Sequence, residues 1–385
     1  MGALTAGWMP RQQALTLPSP RGRGFLSNPS PMADLQPAPR RKRSARFIEI
    51  AAAAGVSVAT VNRVLNERDS VAPATREKVV AAAKRLAVPR LLPDLRRGIT
   101  RFDVVMARSP TPYFRRLDQA LQRSMQMLDR RIAVHRQVID ESDDARIVDA
   151  ILRPPQRRHG LIVAIHDSPA VRAALRTVIA QGVPVVTMMS DIGEVPRLHY
   201  AGIDNLAAGH TAGHFIGRLA AQPGRVLVLS NSLSYSAHAE RTRGCITQLQ
   251  AQHPQLTCSE VEECFDDADR CYQAVKHALI GNAPGPLVGL YHSGAGAEGI
   301  TAALQRFKGE GPRVAWVGHE LSDEHRAAID AGLMDLAIDQ DPDGQVLSSL
   351  QQLLHAGGFV EQAPTAGPNE FRLFCAQNLP ARPYL

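Results

Sequence analysis

Apolar and polar positions follow two different periods along the greater part of this chain. Seven short and almost continuous apolar runs predict buried strands at 102–107, 160–165, 184–189, 225–230, 287–292, 313–318 and 335–340. Between the runs, apolar residues recur three and four positions apart, which predicts amphipathic helices at 114–128, 169–180, 205–221, 238–251, 268–280, 296–307, 323–331 and 343–355. Apolar strands that alternate with helices indicate an α/β fold with parallel, doubly wound sheets covered on both faces.

A different pattern occupies residues 47–85, which read FIEIAAAAGVSVATVNRVLNERDSVAPATREKVVAAAKR. Gly55 can adopt the positive φ of a tight turn, and Ser57 stands where a following helix needs an N-cap. Three apolar residues at i, i+3 and i+4 give that helix one buried side: Val61, Val64 and Leu65. Two helices joined by a short turn containing glycine are typical of an all-α helix-turn-helix, whose second helix enters the DNA major groove.

The spacing of these residues resembles the N-terminal module of the LacI/GalR transcription regulators. The resemblance rests on Ala51, Ala54-Gly55-Val56-Ser57, Thr60-Val61, Arg63-Val64-Leu65-Asn66, Val71 and Thr75-Arg76-Glu77-Lys78-Val79. It implies a DNA-binding domain over 46–86 and a homodimer that binds a palindromic double-stranded operator, most often as a repressor. The residues that it implies at the DNA are Ser57, Val58, Ala59, Thr60, Asn62, Arg63, Asn66, Thr75 and Leu95.

Three of these residues have a specific expected role. Arg63 is suited to read guanine through two hydrogen bonds, and the apolar Val58 can meet a thymine methyl group. Leu95 is expected to insert into the minor groove from a hinge helix in the linker 87–101. Pro93 interrupts that linker by removing a helix donor, so coupling through it is expected to differ from the usual case.

The order of elements from residue 102 to 385 resembles the periplasmic-binding-protein-like effector domain of the same family. The resemblance implies one lobe of about 102–204 with 341–365, a second of about 205–340 with the C-terminal strand, and a cleft for a small ligand, expected to be a sugar or sugar derivative. Open α/β sheets bind ligands beyond the carboxyl ends of their strands. The expected ligand contacts are Tyr113, Phe114, Asp167, Asp191, Arg241, His292, His319 and Gln340.

Two of these positions depart from the family pattern. His292 stands where close relatives often carry an asparagine, and His319-Glu320 stands where an aspartate is common. The two histidines and Arg241 together raise the hypothesis that the ligand is an acidic or modified sugar.

Two alternative functions also follow from the sequence. Gly294-Ala-Gly296-Ala-Glu-Gly299 is a G-x-G-x-x-G between a strand and a helix, with Glu320 21 residues after Gly299. That arrangement is typical of dinucleotide binding and keeps open an NAD(H)-responsive regulator or an NAD-dependent enzyme. A solute-binding protein without a DNA role would share the two lobes, but it would lack residues 46–86 and need a signal peptide.

Charge and composition narrow the class of protein. The first 46 residues hold eight basic side chains and one acidic one, and residues 47–101 hold ten and five, whereas the remainder is net acidic. A basic excess at one end is an electrostatic footprint for DNA, and the tail 1–45 is expected to be disordered.

The five cysteines show no CxxC spacing and are expected to be reduced. No catalytic or metal motif is found, so we expect neither an enzyme nor a cofactor, and a cytoplasmic, nucleoid-associated protein without a membrane partner.

Overall fold

A computed structural model describes residues 47–65, 71–86, 99–309 and 311–380. The described residues fall into two units, divided between Arg97 and Gly98. The expectations for the tail 1–45, for Asn66, and for Pro93 and Leu95 in the linker lie outside the described residues.

The described residues of the first unit form three helices: α1 (Phe47–Ala54), α2 (Val58–Leu65) and α3 (Pro73–Arg85). The axes of α1 and α2 are bent by 105°, within the range of about 90–120° that is typical of a helix-turn-helix. Gly55 has a φ of 65°, and the Ser57 hydroxyl accepts a hydrogen bond of 3.1 Å from the Thr60 amide. The predicted turn and N-cap are therefore confirmed.

The core of this unit is a single apolar cluster drawn from all three helices. Its buried members are Ile50, Ala51, Val61, Val64, Leu65, Val71, Val79, Val80, Ala82 and Ala83. The buried side of α2 is the one that its sequence periodicity predicts, so its opposite side is left facing solvent.

The second unit begins with a five-stranded parallel sheet of order β2-β1-β3-β4-β5. Its strands are β1 (Thr100–Arg108), β2 (Ile132–Asp140), β3 (Gly160–Ala164), β4 (Val185–Met188) and β5 (His199–Ala201). The intervening helices are α4 (Pro112–Met127), α5 (Asp144–Leu152) and α6 (Pro169–Ala180).

A six-stranded sheet of order β11-β10-β9-β8-β6-β7 follows, in which β11 alone runs antiparallel to its neighbour. Its strands are β6 (Gly224–Ser230), β7 (Leu256–Glu263), β8 (Leu287–His292), β9 (Ala315–His319), β10 (Leu336–Asp339) and β11 (Arg372–Phe374). The remaining helices are α7 (Asn205–Leu219), α8 (Ser236–Gln252), α9 (Ala268–Ile280), α10 (Ala297–Arg306), α11 (Asp323–Asp330) and α12 (Pro342–Ala356). The predicted α/β class with doubly wound parallel sheets is confirmed.

The chain crosses between the sheets more than once. Helix α12 follows β10 of the second sheet but packs against α4 and β4 of the first, and its Leu350 and Leu353 belong to the core of that lobe. In each sheet the first strand in sequence lies between the second and the third. This reversal of strand order opens a crevice at the carboxyl ends of the strands.

All seven predicted strands and eight predicted helices of this unit are present, and β11 is the C-terminal strand that the family resemblance implied for the second lobe. Four described elements were not predicted, namely β2, α5, β5 and β7. Strands β2 and β7 are sheet edges, and each contains a single fully buried residue. Their sequences therefore lack the continuous apolar run that marks the central strands.

No single helix in the described part of the chain is long and apolar enough to cross a membrane. Helices α1 and α2 satisfy that criterion only when they are taken together across their 105° bend.

Close packing of α7 against α8 depends on glycine. A Cβ atom added to Gly209 would lie 2.1 Å from the backbone oxygen of Arg241, and one added to Gly244 would lie 2.4 Å from the oxygen of Leu206. Both contacts are with backbone, which cannot rotate aside as a side chain would. These glycines therefore set the position of the helix that carries Arg241.

The substitution Gly209→Ala is expected to lower the free energy of unfolding by about 1–3 kcal/mol, the usual cost of overpacking a core. Gly311→Ala is the matched control, because no atom lies within 4 Å of a Cβ at that position. Urea unfolding of both variants measures the difference. Equal stabilities would show that α7 and α8 can separate at no cost.

Candidate functional site

A cleft of about 420 Å³ lies at the carboxyl ends of the strands of both sheets. This volume is within the range of pockets that hold small organic ligands, about 300–1,000 Å³. The first lobe contributes the loop after β1 with the start of α4, and one residue each after β2 and β4. The second lobe contributes the loops after β6, β7, β8, β9 and β10.

Arg241, on the first turns of α8, lies in the wall of this cleft and is 2% exposed. Its Nε donates to the Asn205 Oδ1 at 2.8 Å, and its Nη1 donates to the Ser293 carbonyl at 3.2 Å. Within the described residues, its buried Nη2 has no acceptor. An unpaired buried donor costs about 1–3 kcal/mol, so an additional acceptor at this nitrogen would stabilise the site.

Aromatic rings line the cleft from both lobes. Tyr113 and Phe114, at the start of α4, make an edge-to-face pair with centroids 5.7 Å apart, and the Tyr113 hydroxyl donates to Gln345 Oε1 at 2.6 Å. The second lobe contributes Tyr235 and Phe265, and Phe265 is 53% exposed. Such rings offer flat apolar faces to a ligand whose edges are polar.

Two further predicted residues, His319 and Gln340, also line the cleft. His319 is fully buried, and its Nε2 lies 2.8 Å from the Tyr291 hydroxyl. The side-chain amide nitrogen of Gln340 donates to Glu320. The main-chain carbonyl of Gln340 accepts from the side-chain amide of Gln345 at 3.1 Å. Five of the eight predicted ligand contacts therefore line the cleft, namely Tyr113, Phe114, Arg241, His319 and Gln340.

The other three predicted residues lie outside the cleft lining. Asp167 is bound by Arg172, whose Nε and Nη2 donate to it at 2.7 and 2.8 Å. Asp191 accepts from the Thr187 hydroxyl at 2.8 Å and pairs with Arg197. His292 is fully buried behind the wall, with its Nε2 3.9 Å from the Cys271 sulfur.

Four histidines around the cleft are neutral at pH 7. Burial lowers the pKa of His292 to about 3 and that of His325 to about 4. Burial, with the charge of Arg241 beside them, also holds the pKa of His238 and of His319 well below the usual value. These imidazoles therefore supply no positive charge to an acidic ligand, which was the basis of the acidic-sugar hypothesis.

Two carboxylates in the cleft lining, Glu320 and Asp266, have pKa values above the usual range. Burial, together with the charge of Asp339, raises the pKa of Glu320 to about 7. Burial raises the pKa of Asp266 to about 6, and the charge of Glu141 adds to that rise. The loops that carry Glu141 and Asp266 follow β2 and β7, so these residues went unpredicted together with their strands.

The glycine-rich loop at 294–299 is used for packing. A Cβ on Gly299 would lie 1.8 Å from the Ala268 carbonyl, and Gly296 has a φ of 105° at the N-cap of α10. The Ala295 amide donates to Asp266 Oδ1 at 2.7 Å. The Asp266 carboxylate thus already accepts a hydrogen bond from a backbone amide that a dinucleotide phosphate would require as a donor.

Helix α2 presents most of its predicted DNA-contacting residues on one face. Ser57, Val58, Ala59 and Arg63 are exposed, and Val58 is 43% exposed although it is apolar. Thr60 and Asn62 at the edges of this face, and Thr75 on α3, are half-buried. The apolar residues on the other face hold the helix against α1 and α3, so the exposed face is presented rigidly.

Comparisons with known proteins agree with both units. Residues 102–357 match the family model of a periplasmic binding protein domain, and residues 47–87 match that of bacterial regulatory proteins of the lacI family. A search of curated proteins gives no match.

Several solved structures share the fold of the second unit. GanP, a glucose-galactose binding protein from Geobacillus stearothermophilus, is 17% identical with a TM-score of 0.65, over 74% of this chain and 100% of that one. AraP, an arabinose binding protein from the same organism, is 19% identical with a TM-score of 0.58, over 73% and 98%. A solute binding protein from Agrobacterium vitis with bound D-fucose is 15% identical with a TM-score of 0.64, over 72% and 96%.

Proposed function

Since this chain belongs to the LacI/GalR family of DNA-binding regulators, which are not enzymes, we propose that it is a repressor controlled by a small sugar-like ligand. The ligand binds in the cleft between the two lobes and changes the affinity of the protein for its operator. One observation carries the ligand-binding part of this proposal. It is the unpaired, buried Nη2 of Arg241, a residue that lines a cleft of ligand size.

On the DNA side, the exposed face of α2 enters the major groove. Arg63 reads a guanine there, and Val58 and Ala59 contact the methyl groups of neighbouring thymines. Two copies of the chain bind the two halves of a palindromic operator, because the symmetry of a dimer is matched by the symmetry of its site. The protein acts at the chromosome, in the cytoplasm.

An Arg63→Ala variant is expected to bind its operator about 5–150-fold more weakly, since a bidentate contact with guanine contributes about 1–3 kcal/mol. The base preference at that operator position should also relax. Lys78→Ala, which removes the same charge from an exposed position of α3, should affect all DNA sequences equally if it affects any. Selection of binding sites from random DNA, followed by titration, measures both effects. Unchanged base preference in Arg63→Ala would refute the role of this residue.

For the ligand, the sugar-binding proteins that share the fold support a polyhydroxylated ring. The lining combines aromatic faces with hydrogen-bonding groups, as such a ring requires. The test is a screen in which sugars are added to the protein on its selected operator. Release or tightening by at least one sugar supports the proposal. A protein whose operator binding responds to none of them, while the fold stays intact, would contradict it.

A second candidate, an NAD(H)-responsive regulator, is not favoured by the described loop. Asp266 faces the glycine-rich turn and already binds its amide, so a pyrophosphate would be repelled there. The test is titration of the protein with NADH, and an unchanged fluorescence is expected.

A further inference from the structure

We propose that the ligand carries a positively charged amine, and that Asp266 and Glu141 bind this amine from opposite lobes of the cleft. This inference rests on the proposed ligand-controlled function and narrows its ligand from sugars in general to amino sugars or amino polyols.

The balance of charge in the lining is the first support. Five carboxylates line the cleft, namely Glu141, Asp266, Glu298, Glu320 and Glu324, against the three arginines Arg108, Arg115 and Arg241. The histidines of the lining add no positive charge, because burial keeps them neutral. An acidic ligand would therefore enter a cleft that already carries an excess of negative charge.

The surroundings of Asp266 are the second support. Its Oδ1 accepts from the Ala295 amide at 2.7 Å, and its Oδ2 accepts from the Asn231 Nδ2 at 2.8 Å. Both donors are neutral, and Asp266 forms no ion pair with any described residue. Buried carboxylates are normally paired with a cation. Asp266 is half-buried in the cleft lining and has no such partner among the described residues.

The surroundings of Glu141 complete the subsite. This carboxylate belongs to the first lobe and accepts from the Tyr235 hydroxyl of the second lobe at 2.8 Å. Glu141 and Asp266 line the cleft from different lobes, and the charge of Glu141 contributes to the raised pKa of Asp266. An ammonium group would relieve the repulsion between the two carboxylates, and the ring of Tyr235 would add favourable cation–π contact.

Arg241 provides an independent observation that points to a ligand. Its side chain lines the cleft and is 2% exposed, and its buried Nη2 has no acceptor among the described residues. Its charge already acts on both Glu320 and Asp266, so a neutral oxygen acceptor suffices for it. Hydroxyl groups at Arg241 and an amine at Asp266 together define the ligand class.

The test compares ligands that share a ring and differ in charge. Calorimetric titration at neutral pH would use D-glucosamine, D-galactosamine and D-mannosamine, their parents D-glucose, D-galactose and D-mannose, and D-glucuronate and D-galacturonate. At least one amine should bind at least tenfold more tightly than its parent. Tighter binding of the parents or of the acids, or no binding by any of the three amines, overturns the inference.

Variants identify the subsite. Asp266→Asn should remove the preference for the amine, measured as the ratio of the affinities for the amine and for its neutral parent. Asp269→Asn is the matched control, since it removes the same charge from an exposed position of α9 outside the cleft lining. Should Asp266→Asn fail to fold, Glu141→Gln removes the opposing charge at an exposed position and should reduce the preference several-fold. A full preference retained in these variants refutes the inference. A neutral sugar that controls operator binding without any preference for amines would refute it too, yet would leave the proposed function standing.

Discussion

An Arg241→Gln variant is expected to bind its operator normally and to lose the response of that binding to ligand. The guanidinium donates to two fixed partners, Asn205 and Ser293, and its Nη2 has no acceptor among the described residues. A hydrogen bond from a charged donor contributes about 1.5–3 kcal/mol, so the ligand affinity should fall by about 10–150-fold. Fluorescence anisotropy on labelled operator DNA, with ligand titrated in, measures both quantities.

The matched control for this prediction is Arg243→Gln. Arg243 lies two residues along α8 but is exposed and does not line the cleft, so the ligand response should persist. Thermal unfolding checks that Arg241→Gln remains folded, since Asn205 keeps its bond to the Tyr200 hydroxyl at 2.8 Å. A folded Arg241→Gln protein with normal ligand affinity would exclude Arg241 from the binding site.

The second unit is expected to lose stability steeply as the pH falls from about 6 to 5. The pKa values of His238, His292, His319 and His325 lie below their unfolded value of about 6.5. In this pH range the four histidines are mostly protonated in the unfolded chain and unprotonated in the native state. The unfolded state therefore binds about four more protons at these residues. The stability that these neutral imidazoles contribute is present above the unfolded pKa and is lost as the pH falls.

Two carboxylates oppose part of this loss. The raised pKa values of Glu320 and Asp266, about 7 and 6, keep protons on the native state that the unfolded chain has released. Their contribution is present at low pH and is lost as the pH rises through those values. The histidines bind about four more protons in the unfolded state, and the two carboxylates bind about two more in the native state. The net difference of about two protons gives the free energy of unfolding a slope of about 2–3 kcal/mol per pH unit.

Urea unfolding of the full chain between pH 5 and 8 tests this expectation. The fluorescence of Trp316, which is fully buried 6.3 Å from the His325 ring, reports on the second lobe. His325→Gln should reduce the slope by about one proton, or about 1.4 kcal/mol per pH unit, whereas the exposed His277→Gln should not change it. Stability that stays level or rises on acidification would show that the buried imidazoles are charged in the native state.

Much of the architecture was visible in the sequence because the relevant signals are local. The central strands are covered on both faces and so appear as continuous apolar runs, and the helices between them keep one apolar side. Gly55 and Ser57 mark a turn and a cap through their own backbone and side-chain chemistry. The family resemblance then predicted, beyond the strand ends, residues such as Arg241 and Gln340 that the fold brings to one cleft.

Other parts of the site could not be read in this way. Strands β2 and β7 are covered less completely because they are edges, so their apolar pattern is weak and the loops beyond them were missed with Glu141 and Asp266. Asp167 and Asp191 follow strands as expected, but they form ion pairs with Arg172 and Arg197. Whether a neighbouring arginine pairs with such a carboxylate depends on the directions of both side chains, which the order of the strands does not specify.

By itself, the sequence determined the two kinds of unit, the exposed face of α2 and the strand ends at which a ligand would bind. These follow from periodicity, turn chemistry and the geometry of parallel sheets, which act over a few residues at a time. Only the tertiary structure decided the charge of the cleft. Whether a histidine is neutral or an aspartate lacks a cation depends on burial and on neighbours from distant segments, because desolvation and Coulomb interactions act through space and not along the chain.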